Sequence, residues 1–130
     1  GIIDLVQLHG TESEEYVKRL KALTDKPLIR AVRVKSREDI LKAENTACDY
    51  LLLDTYCGGF GGSGKSFDHK IIPSLEKPYF LAGGINKDNI CTAAENCKPY
   101  CMDVSSGCET DGVKDERKIK EIISIVRKED

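Results

Sequence analysis

No apolar run in this chain approaches the roughly 20 residues that a membrane-spanning helix needs, nor is a secretory signal visible within it, so no membrane partner is expected. An excess of one charge is missing as well. The 20 Lys and Arg are interspersed with 22 Asp and Glu for a net charge of −2, and no basic footprint argues for nucleic acid. No segment repeats at a solenoid period and no low-complexity linker marks a boundary. The 130 residues therefore read as part of one domain, 1–130, able to bury a modest core. A start methionine is lacking too: the chain opens on Gly1 and its single Met is Met102.

Cysteine is not scarce, but the patterns that would give it a job are absent. Cys48, Cys57, Cys91, Cys97, Cys101 and Cys108 include no CxxC pair, and His9 and His69 lie far from Cys97 and Cys101, so no metal site is expected. Cys48 and Cys101 fall in apolar strand patterns and Cys91 in a helical one. Six cysteines also allow too many pairings for sequence to select one. Free thiols and a cytoplasmic location are the expectation.

What is present is a run of five strand-then-helix units. Ile2-Ile3-Asp4-Leu5-Val6-Gln7-Leu8 reads as a strand ending at His9-Gly10. Thr11 and Glu14 form a capping box for a helix carrying Tyr16, Val17, Leu20 and Leu23. The second strand covers residues 28–34. Ser36 and Asp39 cap a helix with Ile40, Leu41 and Ala43. The third strand, from Tyr50, ends on Asp54, and a glycine-rich loop and a short helix near residues 67–75 follow. Residues 79–82 form a fourth strand ending on Gly83-Gly84, with Asn86 capping the next helix. Residues 100–104 form a fifth strand running into Ser105-Ser106-Gly107. The last helix places Ile119, Ile122, Ile123 and Val126 on one face.

Strands this continuously apolar are buried on both faces, as in a parallel sheet covered by helices. Right-handed crossovers leave a doubly wound sheet or a closed βα barrel. The polar residues cluster after the strands' C-terminal ends, where both folds bind ligands: His9, Asp54, Gly83-Gly84, Asp103 and Ser105-Ser106-Gly107. Two final strands ending in glycine and serine suit a phosphate site, where backbone N–H groups and hydroxyls donate to the anion. One motif competes. Residues 59–66 match GxxxxGK[ST], in which Lys65 would reach phosphates and Ser66 would hold Mg²⁺. Its context is poor, because Pro73 interrupts the segment where a P-loop needs a robust helix. The unit count, with residue 1 falling almost inside a strand, leads to the expectation of the C-terminal portion of a larger barrel enzyme.

Taken in series, Val6-Gln7-Leu8-His9-Gly10, Leu53-Asp54-Thr55, Gly61-Gly62-Ser63-Gly64-Lys65-Ser66-Phe67-Asp68, Leu81-Ala82-Gly83-Gly84-Ile85 and Asp103-Val104-Ser105-Ser106-Gly107 resemble phosphoribosylanthranilate isomerase. Gly112-Val113-Lys114-Asp115 also fits, and the likeness covers essentially the whole chain. The resemblance implies a partial (β/α)₈ TIM barrel of five parallel βα units, strands four to eight, with the first three missing. That family carries the same glycine-lysine loop and is no NTPase. It catalyses, in tryptophan biosynthesis and without metal or cofactor, an Amadori rearrangement of N-(5-phosphoribosyl)anthranilate to 1-(2-carboxyphenylamino)-1-deoxyribulose 5-phosphate.

The implied general acid is Asp54. The family's base, a cysteine on its first strand, and an arginine near its second have no counterpart here; Cys57 is the nearest substitute and a poor one. Asp103 and His9 match positions that line the substrate site, and Gly83, Gly84, Ser105, Ser106 and Gly107 match its phosphate cradle. Each has a plainer reading: loop-capping carboxylates for Asp54 and Asp103, a structural histidine for His9, ordinary turns for the rest. Arg33 could counter the anthranilate carboxylate or pair with a neighbouring acid. The expected partner is the phosphorylated sugar–anthranilate substrate. A chain of this kind is expected to be inactive alone, and to self-associate or be complemented by its N-terminal part. The alternative is a noncatalytic phosphosugar-binding α/β module.

Overall fold

The computed structural model describes residues 1–55 and 66–127. Cys57 and the glycine-lysine loop up to Lys65 lie outside the described residues. Five strands form one parallel sheet: β1 (Val6–Leu8), β2 (Leu28–Val34), β3 (Tyr50–Thr55), β4 (Tyr79–Leu81) and β5 (Cys101–Met102). Their spatial order equals their sequence order, β1-β2-β3-β4-β5. A doubly wound sheet reverses order at a switch point; this one keeps winding in one direction, as a barrel does. The helices are α1 (Glu14–Leu23), α2 (Arg37–Glu44), α3 (Ile90–Cys97) and α4 (Glu116–Arg127), with single 3₁₀ turns at His69–Ile71 and Ser106–Cys108.

The period of two along each strand separates two environments. Val32, Val34, Leu51, Leu53 and Leu81 face one way and pack with Ile40, Ile90, Ala93 and Ile122 from α2, α3 and α4. Leu8 and Leu28 pack with Val17 of α1 and with Cys48. The opposite face carries Ile29, Leu52 and Ala82, flanked by Ala31, Tyr50 and Phe80, all of them from strands or their ends. The described helices therefore cover one face only, and the other is the face a barrel turns inward. Arg30 joins the layers on the helix side, donating to Glu14 at 2.8 Å and to the Glu12 carbonyl at 3.3 Å.

Several local expectations need correction. The first strand begins at Val6, where pairing with Leu28 starts; Ile2 and Ile3 are exposed. Thr11 does not cap α1. Ser13 does, accepting the Tyr16 N–H at 3.2 Å, while Glu14 is taken by Arg30 and by the Ala47 N–H at 3.0 Å. Tyr16 and Leu23 face solvent, as do Ile123 and Val126 on α4; Ile119, Ile122 and Ile125 pack inward instead. The helix expected near residues 67–75 is a three-residue 3₁₀ turn, and the fifth strand is only Cys101–Met102. Asn86 caps the turn that leads into α3, accepting the Asp88 N–H at 2.9 Å; the residue at the N-cap of α3 itself is Asn89. Cys48 lies in the bend before β3 rather than within a strand, and is buried.

The structure adds an antiparallel hairpin to the five βα units. β6 (Glu109–Thr110) and β7 (Val113–Lys114) are joined by Asp111-Gly112, a dipeptide that is itself a strong two-residue hairpin signal. The Ser36 and Asp39 capping box of α2 is present as the spacing requires. No described helix is long and apolar enough to cross a membrane.

Candidate active site

Register brings three of the sequence-selected residues together. Across the β2–β3 ladder Arg33 pairs with Asp54, two steps above Ala31 and Leu52. Leu52 pairs in turn with Phe80, and Phe80 with Cys101. The Ala82 N–H reaches the Leu53 carbonyl at 2.8 Å and the Asp103 N–H reaches the Leu81 carbonyl at 2.8 Å, carrying the alignment one rung further. Paired residues of a parallel ladder point to the same face. Arg33, Asp54, Ala82 and Asp103 thus form one layer over four neighbouring strands, at their C-terminal ends and on the face without helices. A small alanine separates the two acids.

Asp54 is oriented by its own backbone, its Oδ1 accepting the Thr55 N–H at 2.7 Å. The Asp103 carboxyl is pushed above the usual carboxylate range, first by loss of solvent against the strand ends and then by the charge of Asp54, with Lys114 pulling the other way. A second carboxylate facing the same space disfavours charge on Asp103, which therefore retains its proton more easily.

His9 is not part of this layer. It follows β1, two strands from β3, and is exposed. Its N–H and that of Gly10 are held by the Glu12 carboxylate at 3.2 and 2.9 Å, which makes His9 the start of a carboxylate-capped turn.

The glycine and serine turns meet each other beside the acids. Gly83, at φ +83°, lies so close to the end of β3 that a Cβ there would stand 2.5 Å from the Thr55 nitrogen and 2.7 Å from Asp54 Oδ1. Only glycine fits, and the loop after β4 is thereby pressed against the acid. Gly107 does the same between the two loops, where a Cβ would fall 2.2 Å from the Ile85 carbonyl oxygen. Ser105 leads into the 3₁₀ turn Ser106–Cys108, its carbonyl accepting the Cys108 N–H at 3.0 Å. Gly84, Asn86, Ser106 and Gly107 line a cavity of about 480 Å³ where these loops meet Lys118 and Glu121 of α4. A second cavity, about 680 Å³, runs from His9 and Arg33 toward Thr46. Neither of these two cavities has Asp54 or Asp103 in its lining.

Sequence reasoning missed Lys114, which reaches Ser105 from the hairpin. The Asp111-Gly112 turn signal would have placed β7, and Lys114 with it, beside the serine turn. Cys48, Cys91, Cys97, Cys101 and Cys108 are free, and none of them stands in the acid layer; Cys101 lies one rung pair below Asp103 on β5. Among the described residues no group of three or more His, Cys, Asp or Glu could hold a metal ion.

Comparison with known proteins adds an independent line. The family profile described as N-(5'phosphoribosyl)anthranilate (PRA) isomerase matches residues 2–125. A relative of that name from Endomicrobium trichonymphae is 51% identical over 126 residues, covering 96% of this chain and 62% of the relative. The crystal structure of phosphoribosyl anthranilate isomerase from Thermus thermophilus superposes with a TM-score of 0.78 at 26% identity, over 97% of this chain and 62% of that one. A phosphoribosyl anthranilate isomerase solved in complex with reduced 1-(o-carboxyphenylamino)-1-deoxyribulose 5-phosphate matches with a TM-score of 0.71 at 28% identity, over 97% and 60%. The chain spans about 62% of the length of the curated relative. These neighbours have a TIM-barrel-type fold, in keeping with five sequentially ordered parallel strands.

Proposed function

Because this chain belongs to the N-(5'-phosphoribosyl)anthranilate isomerase family, we propose that it carries the acid and phosphate-holding part of that isomerisation in tryptophan biosynthesis. In this reading its five strands are strands four to eight of a (β/α)₈ barrel, and the general base comes from outside them.

The reaction opens the ribose ring. Acting as general acid, Asp54 gives a proton to the ring oxygen as the bond from C1 to that oxygen breaks, and the anthranilate nitrogen supplies the electron pair that forms the protonated Schiff base. A base then removes the C2 proton, and the resulting enamine tautomerises to the ketone of the deoxyribulose product. Asp103, level with Asp54 across Ala82 and held toward its neutral form, can pass its retained proton to Asp54 once Asp54 has donated. Arg33, paired with Asp54 in register, is suited to the anthranilate carboxylate. His9, exposed just after β1, is a further substrate-binding candidate set apart from the acid layer. Gly83, Gly84, Ser105, Ser106 and Gly107 receive the phosphate through backbone N–H groups and hydroxyls. No step calls for a metal or cofactor.

One observation carries the proposal: the layer Arg33, Asp54 and Asp103 opens directly beside the two glycine turns, so that an acid and an anion site lie at one edge of the sheet. The test is consumption of freshly generated phosphoribosylanthranilate, followed by fluorescence. It compares this chain with a form extended at its N-terminus by the first three βα units of the Endomicrobium trichonymphae relative. Turnover by the extended form alone supports the proposal. Turnover by neither, with phosphate still bound, would replace it with a noncatalytic phosphosugar-binding module. Turnover by the 130-residue chain alone would overturn the placement of the base.

A further inference from the structure

Lys114 belongs to neither the acid layer nor the glycine turns, yet it touches the hinge between them. Its Nζ donates to the Ser105 carbonyl oxygen at 3.0 Å, to Ser105 Oγ at 3.2 Å and to Glu109 Oε1 at 2.7 Å. An ammonium group has three donors, and all three are committed to the protein. That decides against Lys114 as a direct ligand and points to a role exerted through Ser105.

The Ser105 carbonyl oxygen also accepts the Cys108 N–H at 3.0 Å, so two donors converge on one oxygen. Ser105 itself has left the extended conformation of the strand, at φ −109° and ψ −82°. A trans peptide points its N–H opposite to its carbonyl. With the Ser105 carbonyl drawn to Lys114 and Cys108, the Ser106 N–H is aimed the other way. The lysine is itself held in place: the hairpin that bears it is closed by Glu109 and Lys114 in register, and the Asp115 N–H ties its end to the Cys108 carbonyl at 2.8 Å. Lys114 also acts on the acid side, drawing down the carboxyl of Asp103.

We propose that Lys114 is a positioning residue for phosphate recognition: by clamping the 105–106 peptide it presents the Ser106 N–H to the phosphate of a sugar-phosphate substrate. This rests on the phosphate cradle of the proposed function. A plain structural role for Lys114, holding the hairpin shut through Glu109, predicts something different, and the two are separable.

Inorganic phosphate titrated into the full chain, with the amide resonances of Ser106 and Gly107 followed by NMR, tests it. In the parent chain both resonances should shift with phosphate. Lys114→Met should weaken phosphate binding about fivefold or more, the scale of losing one or two hydrogen bonds. Lys114→Arg should recover most of it. Glu109→Gln, which loosens the hairpin but spares the Ser105 contacts, should bind phosphate like the parent. If Lys114→Met binds phosphate as the parent does, or if Glu109→Gln weakens binding as much as Lys114→Met, the positioning role is wrong and the cradle stands. If the parent itself shows no phosphate-dependent shift at Ser106 and Gly107, the cradle falls and the role of Lys114 falls with it. Dispersed spectra for every variant exclude misfolding; should Lys114→Met not fold, Lys114→Gln gives the same comparison.

Discussion

Arg33 and Asp54 are paired partners in the β2–β3 ladder, one rung before it ends at Val34 and Thr55. A cation and an acid are thereby fixed on the same face, at the same height and on adjacent strands, by backbone hydrogen bonding alone. Asp103 joins them because the ladder continues through Ala82, whose side chain is too small to keep the two acids from sensing each other.

That relationship predicts how stability depends on pH. Asp103 has a folded-state pKa above its unfolded value, so its contribution favours the fold most below the ordinary carboxylate range. The contribution is lost as pH rises through the lifted value. Asp103→Asn is neutral throughout. Its melting temperature should therefore gain on the parent as pH rises from 3 toward 7, and the two should draw together in acid. A constant offset across the range would mean that Asp103 is not held toward its neutral form.

Gly107 should tolerate no side chain. Its added Cβ would meet the Ile85 carbonyl oxygen at 2.2 Å and the Asn86 Cα at 2.9 Å, both backbone atoms that cannot swing aside. Gly107→Ala should cost about 1–3 kcal/mol by overpacking and part the two phosphate-side loops. Chemical denaturation and phosphate titration measure the two effects. A variant of parental stability and affinity would show that the loops need not touch.

The start of α2 makes an opposite pH prediction. Asp39 accepts the N–H groups of Lys35 at 3.1 Å and Ser36 at 2.9 Å, and these bonds hold its pKa below the usual value. Asp39→Ala should cost about 0.5–2 kcal/mol near neutrality. Because a depressed pKa gives stability that is lost as pH falls, that cost should shrink in acid. Unfolding curves at pH 7 and pH 3 check it, and a larger loss at pH 3 would contradict it.

Much of this was legible in the sequence because local and global signals agreed. The apolar residues of 28–34 fall on both faces of the sheet, and the segment forms a strand over that whole span. Ser36 and Asp39 sit at capping-box spacing, and their other partners, the Lys35 N–H among them, come from the same turn. Elsewhere tertiary contacts won. Glu14 has the spacing of a capping partner for Thr11, yet Arg30 from the neighbouring strand and the Ala47 N–H claim its carboxylate. Ile123 and Val126 match a helical stripe, but the stripe that meets the sheet runs through Ile119, Ile122 and Ile125. The acid layer was legible only as strand-end chemistry. That Arg33 joins it and His9 does not depends on register, which a sequence pattern does not specify between parallel strands. Lys114 was hidden because its approach to Ser105 and Glu109 depends on the hairpin that folds β7 back on β6, and one of its three partners is a backbone carbonyl that leaves no mark on side-chain spacing.

The most direct measurement is the steady-state turnover of phosphoribosylanthranilate by the N-terminally extended form carrying Asp54→Asn. With Asp54 as the acid, kcat should fall about 10²–10⁴-fold, the range expected for loss of a positioned general acid, while inorganic phosphate binds as before. Turnover within a few-fold of the parent would contradict the assignment and remove Asp54 from the chemistry.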